Sequence, residues 1–486
     1  MLRVLKIKLC FPLSTLTQRF SSFHATKSVI DKAAVDGELR VFIVAGEVSG
    51  DNIGSRLMSS LKKLSPFPLR FHGVGGSMMC KQGLTSLFPM EDLAVMGLWE
   101  LLPHLYKFRL KLKEAIDAAA MFKPHVVVTV DSKGFSFRLL KELRARYNQQ
   151  HLKNSPVHFH YVAPSFWAWK GGESRLGGLS EFVDHLFCIL PNEETVCREH
   201  GVEATFVGHP VLEESSEINF VRTCKPQESK LECLSFLSKY SLPSGNVNDY
   251  IGFIYFCLNS HCSPAAFMKE DSTVISVLPG SRLQEVERML PIFSKAMKLL
   301  KDPFPKLVTL IHVASNSQVD HYIRKSVRDW PVPAILVPSG STQLKYDSFG
   351  VSQAALCTSG TVAVELQLAR LPSLVAYRAH FLTELFIRYK AKIPYISLPN
   401  ILLDSPIIPE ALFRACKPSN LALIIERLIL DEEMREKQVI AAEKLARLLH
   451  PLESGMSKLV HYSDLDSHRY TPSNLAASTI LSYAKR

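Results

Sequence analysis

The sequence predicts an α/β protein built from two doubly wound, Rossmann-like domains with a cleft between them. Three observations predict it. Short runs of β-branched and aromatic residues alternate with segments whose apolar residues recur at helical spacing. Several of the strand-like runs end in loops of glycine and hydroxyl residues that open directly into a helix. The alternation stops between Glu213 and Ser272, a stretch rich in Ser, Lys, Glu, Asn and Pro, and then resumes. Strands that alternate with helices run parallel and are covered on both faces. In such sheets ligands sit at the carboxyl ends of the strands.

The elements follow in order. Val41–Ala45 reads as a buried strand, Gly46–Asp51 as a turn, and Leu57, Leu61 and Leu64 as one face of a helix. Val126–Val130 is a strand ending at Asp131, followed by a helix over Phe137–Arg146 and a strand over His158–Val162. These place the first domain at residues 40–212. After a linker with an insertion at 213–272, the second domain occupies 273–450. Its strands are Val274–Leu278, Leu307–Val313, Ala334–Val337, Ala354–Cys357 and Leu374–Tyr377. Long helices are expected over Leu421–Leu449, and the tail 451–486 carries a short last helix over Ser473–Ala484.

Composition narrows the class. The chain has 486 residues, and no run of eighteen is uniformly apolar, which excludes an ordinary spanning helix. Its ten cysteines form no Cys-x-x-Cys pair, so neither a zinc site nor a disulfide framework is expected. Residues 1–30 hold Arg3, Lys6, Lys8, Arg19 and Lys27, several serines and no acid. That is the pattern of an organelle transit peptide, mitochondrial before plastid. Those five cations are part of a net charge of +11 and leave +6 for the rest, which suits phosphosugars, nucleotides or anionic headgroups. No nucleic-acid motif is present. The one Asp-x-Asp, Asp464-Leu465-Asp466, lies in a polar tail, so neither a metal nor another cofactor is expected.

Six segments are candidates for chemistry. Gly280, Ser281 and Arg282 follow a strand and precede a helix, where free amides, the helix dipole and a guanidinium suit phosphate; an ordinary turn explains them equally well. Ser359, Gly360 and Thr361 repeat the arrangement, and Glu365, one turn into the helix, is placed to accept ribose hydroxyls. Glu47 and Ser49 sit in a glycine loop that could hold a phosphate or polyol, or be a plain tight turn. Asp131, at the end of a buried strand, is a candidate general base or a helix cap. Trp167, in Phe166-Trp167-Ala168-Trp169, could stack on a sugar, line an acyl pocket or pack under a loop. Trp99, Leu102, Leu105 and Phe108 lie among Lys107, Arg109, Lys111 and Lys113, a mixture that fits a membrane interface or a solvated amphipathic helix.

Taken in order, these segments resemble the lipid-A-disaccharide synthase family. The strings are Val44–Asp51, Asp92–Gly97, Tyr161–Trp169, Phe206–Pro210, Leu278–Arg282, Thr358–Thr361 and Tyr395–Asn400. The resemblance covers residues 41–445, and the transit-like N-terminus suggests an organellar, plant-type member. It implies a GT-B fold and an inverting transfer without a catalytic metal. The implied donor is UDP-2,3-diacylglucosamine, the acceptor 2,3-diacylglucosamine 1-phosphate, and the product a β-1,6 disaccharide. It implies that Asp131 is the essential acid, that Arg282, Glu365 and Asn400 belong to the nucleotide site, and that Glu47 and Ser49 form the cleft loop. Peripheral membrane attachment near Trp99–Lys113 and a homodimer exchanging C-terminal segments are implied as well. Two departures stand out. The linker is long and contains the unmatched run Tyr250–Cys257, and Ser132-Lys133-Gly134 replaces the Ala-Pro-Asp usual in bacterial relatives. The readings left beside it are another UDP-sugar enzyme of the same fold, an epimerase or a glycolipid glycosyltransferase, and a lipid-binding relative without catalysis.

Overall fold

The computed structural model describes residues 28–93, 105–149, 155–213, 272–379, 381–451 and 471–484. The Tyr250–Cys257 run, Trp99 and Leu102 fall outside them, and of Leu105 only the backbone is described.

Two sheets form, each wholly parallel. The first contains β1 (Leu39–Ala45), β2 (Leu69–Val74), β3 (Leu84–Ser86), β4 (Val126–Val130), β5 (Val157–Tyr161), β6 (His185–Cys188) and β7 (Ala204–Phe206), in the order β3-β2-β1-β4-β5-β6-β7. The second contains β8 (Thr273–Leu278), β9 (Leu307–His312), β10 (Ala334–Val337), β11 (Ala354–Cys357), β12 (Ser373–Tyr377) and β13 (Glu410–Leu412), in the order β10-β9-β8-β11-β12-β13. In each sheet the strand order reverses once, between β1 and β4 and between β8 and β11, so each has a crevice at its carboxyl edge.

Burial explains the strands. Val126, Val127, Val128 and Val130 of β4 are fully buried, because helices cover both faces of the sheet. The covering helices bury one stripe each. Leu283–Leu300 buries Val286, Met289, Leu290, Phe293, Ala296, Met297 and Leu300 at three- and four-residue spacing. The long C-terminal run divides into Pro418–Leu430 and Glu432–Leu449, because Asp431 leaves helical geometry and its carboxylate caps the second helix at Met434 N.

The folded body starts before Arg40, and even before the expected transit boundary at residue 30. Ser28 caps the helix Val29–Asp36 in a capping box with Asp31. Val29 is fully buried, and its N–H donates to Tyr483 O at 2.9 Å. The last helix, Pro472–Ser482, also belongs to this end. Ala476, Ala477, Ile480 and Leu481 join the first domain's core with Leu57, Met58 and Leu61 from the helix Val48–Leu64. The chain therefore leaves the first domain after β7, builds the second, and returns. Buried Glu213 fastens the return, accepting from Ser473 N and from Ser473 Oγ at 2.9 Å, with Arg56 at 3.5 Å.

Glu213→Ala strands the Ser473 donors and removes an ionic hydrogen-bond partner, so it should cost about 1–3 kcal/mol. Chemical unfolding of the full chain should show this loss, with Glu213→Gln retaining part of the stability.

Candidate functional site: two loops facing across a cleft

The first wall of the cleft is built by the ends of β1 and β4. Ala45 pairs with Val130, so Gly46 lies beside Asp131 and Ser132. A β-carbon at Gly46 would sit 2.5 Å from Ser132 Oγ, and only glycine permits that approach. Asp131 and Ser132 both adopt left-handed backbone, with φ of 49° and 45°. Such residues cost about 1–3 kcal/mol each and are held by their surroundings. Here the holding bonds are Asp131 N to Tyr161 O at 2.9 Å and Ser136 Oγ to Asp131 O at 2.7 Å. Val162, beyond β5, is also left-handed at φ 76°. The half-buried Asp131 carboxylate has no hydrogen-bond or ion-pair partner shown among the described residues. His160, behind this edge, bonds Thr129 Oγ1 at 2.8 Å, and burial pushes it down to about 3, leaving it neutral.

In the glycine loop, Ser49 is exposed and Glu47 half-buried. Asp51 serves the fold instead. It is buried, and its carboxylate accepts from Gly76, Met78 and Met79 N at 2.9–3.0 Å, closing the start of the helix Ser77–Lys81.

The second wall is built by the ends of β8 and β11. Gly280 has φ 115°, and a β-carbon there would run into the carboxylate of Glu285. Sequence reasoning passed over Glu285. Its carboxylate accepts from Ser281 N–H and from the Thr358 hydroxyl, tying the two loops together, and burial raises its pKa. Ser281, Gly360 and Thr361 remain exposed, Ser359 and Arg282 half-buried. Gly360, with φ 128°, opens the helix Thr361–Leu368 without a side-chain cap, leaving helix amides toward the cleft. Glu365 is ion-paired to Lys345 at 2.9 Å, so a ribose at Glu365 would also meet an ammonium.

The two walls meet. Arg282 Nη2 lies 2.8 Å from Glu47 Oε2. Glu47 follows the glycine that packs on Ser132, so Asp131 and Arg282 border one groove. A seam beside it pairs Lys170 N with Lys390 O and Lys392 N with Ala168 O, both at 2.9 Å, and adds a Lys392–Glu173 ion pair.

Three expected contacts are corrected. Asn400 is fully buried, and its amide is spent on Ile408 N, Ile408 O and Glu410 at 2.8–2.9 Å, so it shapes its loop and presents nothing to a ligand. Trp167 joins an apolar cluster shared by both domains, with Leu190, Val211, Val364, Leu368 and Leu445, so it is interdomain packing and not an acyl wall. Its Nε1 donates to Glu193 at 3.3 Å, and burial pushes Glu193 up to about 7. Phe108 turns inward, edge-on to Phe135 at 5.5 Å, so it is no surface anchor.

The family model of lipid-A-disaccharide synthetase matches residues 41–237 and 260–462. The chain belongs to the lipid-A-disaccharide synthase family. It is 79% identical over 486 residues, the whole of both chains, to an Arabidopsis thaliana protein named "Probable lipid-A-disaccharide synthase, mitochondrial". It is 36% identical over 411 residues to the lipid-A-disaccharide synthase of Rhodospirillum centenum, covering 85% of this chain and 90% of that one. Among solved structures, a UDP-GlcNAc 2-epimerase from Neisseria meningitidis matches with a TM-score of 0.50 at 12% identity, over 85% of this chain and 99% of the other. That likeness concerns the GT-B fold alone. The family match omits residues 238–259, inside the segment read as linker and insertion.

Gly280→Ala forces a side chain into left-handed backbone and against Glu285. Urea unfolding should show a loss of about 1–3 kcal/mol. Calorimetric titration should show weaker UDP binding.

Proposed function

We propose that the chain joins UDP-2,3-diacylglucosamine to 2,3-diacylglucosamine 1-phosphate, giving the β-1,6-linked disaccharide 1-phosphate and UDP. The observation that carries the reading is the shared groove, with a carboxylate that has no partner among the described residues on one wall and a guanidinium beside an uncapped helix start on the other. Family membership supplies the substrate class.

In this mechanism Asp131 takes the proton from the acceptor's 6-hydroxyl. The oxygen forms a bond to the donor's anomeric carbon as the bond to the diphosphate breaks, and one displacement from the opposite face inverts that carbon. Negative charge grows on the departing UDP. Arg282 and the amides around Gly360 and Thr361 stand on that wall as donors for the developing charge. Ser359 and Thr361 hydroxyls add donors, and Glu365 with Lys345 would take the ribose.

General-base catalysis contributes about 100- to 10,000-fold. Asp131→Asn should therefore lower turnover at least about 100-fold, with UDP affinity kept. An assay of UDP release with both acylated sugars reads this, and wild-type turnover retained in Asp131→Asn would remove it from the mechanism. Product identification separates disaccharide synthesis from epimerisation.

The reading places the protein in the mitochondrion, on a membrane surface. The name of the Arabidopsis relative and the acid-free N-terminal segment support the organelle. No helix among the described residues is long and apolar enough to cross a membrane. A surface for attachment lies on the helix Phe381–Lys390, which exposes Leu385, Phe386 and Tyr389 at 56%, 54% and 72%. The Phe386 and Trp169 rings are 5.9 Å apart, and Lys170 and Lys390 flank them. Grouped exposed apolar side chains with a basic rim suit an anionic bilayer. Replacing Leu385, Phe386 and Tyr389 together by Ser should cut co-sedimentation with phosphatidylglycerol vesicles several-fold. Unchanged sedimentation would exclude this face.

A further inference from the structure

We infer that Glu47 is a built-in competitor for the donor's diphosphate, holding Arg282 while the site is empty and releasing it when the donor arrives. The inference rests on the donor site proposed above and adds a role to it: the loop of the first domain sets how tightly the second domain grips UDP and how readily it lets it go.

The geometry is specific. Glu47 and Arg282 are 235 positions apart, and each stands immediately before the first residue of a long helix, Val48–Leu64 and Leu283–Leu300. A carboxylate at the start of a helix gains from turning back onto the free amides. Glu47 makes no such bond to its own helix. It reaches across the groove to Arg282 Nη2 at 2.8 Å. The glycine before it cannot move away from Ser132 without opening the packing at the end of β4, so the carboxylate is delivered from a fixed base.

A carboxylate and a phosphate present oxygens of similar geometry to a guanidinium. The two therefore compete for the same donors. The diphosphate carries more charge and brings the uridine's other contacts with it, so it displaces Glu47. The Glu47–Arg282 pair also spans the groove between Asp131 and the second domain. Its release clears the space the acceptor's hydroxyl must enter, and donor binding precedes acceptor binding. After transfer, Glu47 returns to Arg282 as UDP leaves.

The pair is partly open to water, with Arg282 41% and Glu47 27% exposed, so the competition is modest. Exposed ion pairs are worth little, and removing this one should tighten UDP about two- to fivefold. The test is calorimetric titration of the full chain with UDP and with uridine, for the wild type, Glu47→Gln and Glu47→Asp. Glu47→Gln should bind UDP more tightly by that factor, with product inhibition by UDP strengthened in step. Glu47→Asp, whose shorter arm falls short of Arg282, should behave like Glu47→Gln. Uridine, with no phosphate, should bind all three alike. An unchanged or weaker UDP constant in Glu47→Gln, or an equal gain for uridine, would overturn the inference while leaving the donor site standing. A wild type that does not bind UDP would bring down the donor site and this inference together.

Discussion

A parallel strand can be followed by another only if the chain is carried back along the sheet, and the helix that carries it covers a face. Every strand in both sheets here is parallel. Every turn from strand to helix therefore gathers at one edge of each sheet, and at the point where strand order reverses two such turns lie side by side. This constraint puts Gly46 next to Asp131 and Gly280 next to Thr358. Neither pair is near in sequence, and neither needs a special interaction to be brought together. What remains for the fold is to turn the two edges toward each other. The shared apolar cluster around Trp167 and Leu445, the seam at Trp169–Ala391 and the return of the last helix to the first domain accomplish it.

How much of this the sequence discloses depends on length and on burial. β1, β4, β8, β9 and β11 are legible because both faces are covered and the runs are continuously apolar. β7 and β13 have three residues each and β6 four, too short for any period to register. β2 reads Leu-Arg-Phe-His-Gly-Val, with polar residues on its more open positions, and imitates a loop. The loops of the site were legible because glycine and hydroxyl residues mark a strand–helix turn whatever the fold. The contacts of individual side chains were not. Nothing local tells that the Asn400 amide is saturated by Ile408 and Glu410, or that Glu285 folds back on the loop preceding its own helix. Both facts depend on which segment packs opposite, and a single sequence does not carry that.

The charges of the site share one logic. The cations of the second wall do not stand bare. Arg282 is paired with Glu47, and Lys345 with Glu365. Glu285, half-buried behind both loops, uses its oxygens on Ser281 N–H and the Thr358 hydroxyl. Each acid engages a donor or cation of the site, and Glu47, on the guanidinium a diphosphate would use, works against ligand affinity. Each also fixes a donor in place before the ligand arrives, which reduces the ordering cost of binding. An enzyme that must release a charged product gains from such a balance, because a site complementary to the diphosphate alone would hold UDP after the transfer.

The departure at Ser132-Lys133-Gly134 fits the same picture from the other wall. Three positions after Asp131, where the resemblance implies a carboxylate, this chain has Gly134. Gly134 carries no charge, and Lys133 and Gly134 are both exposed. Lys133 lies 5.7 Å from the Phe166 ring, at the foot of the loop that carries Trp167 and Trp169. The proposed base works on a hydroxyl that the acceptor's own contacts bring to it. The strained backbone at Asp131 and Ser132 sets where that carboxylate stands, and it is held by the Asp131 N–Tyr161 O and Ser136 Oγ–Asp131 O bonds with Gly46 packed close against Ser132.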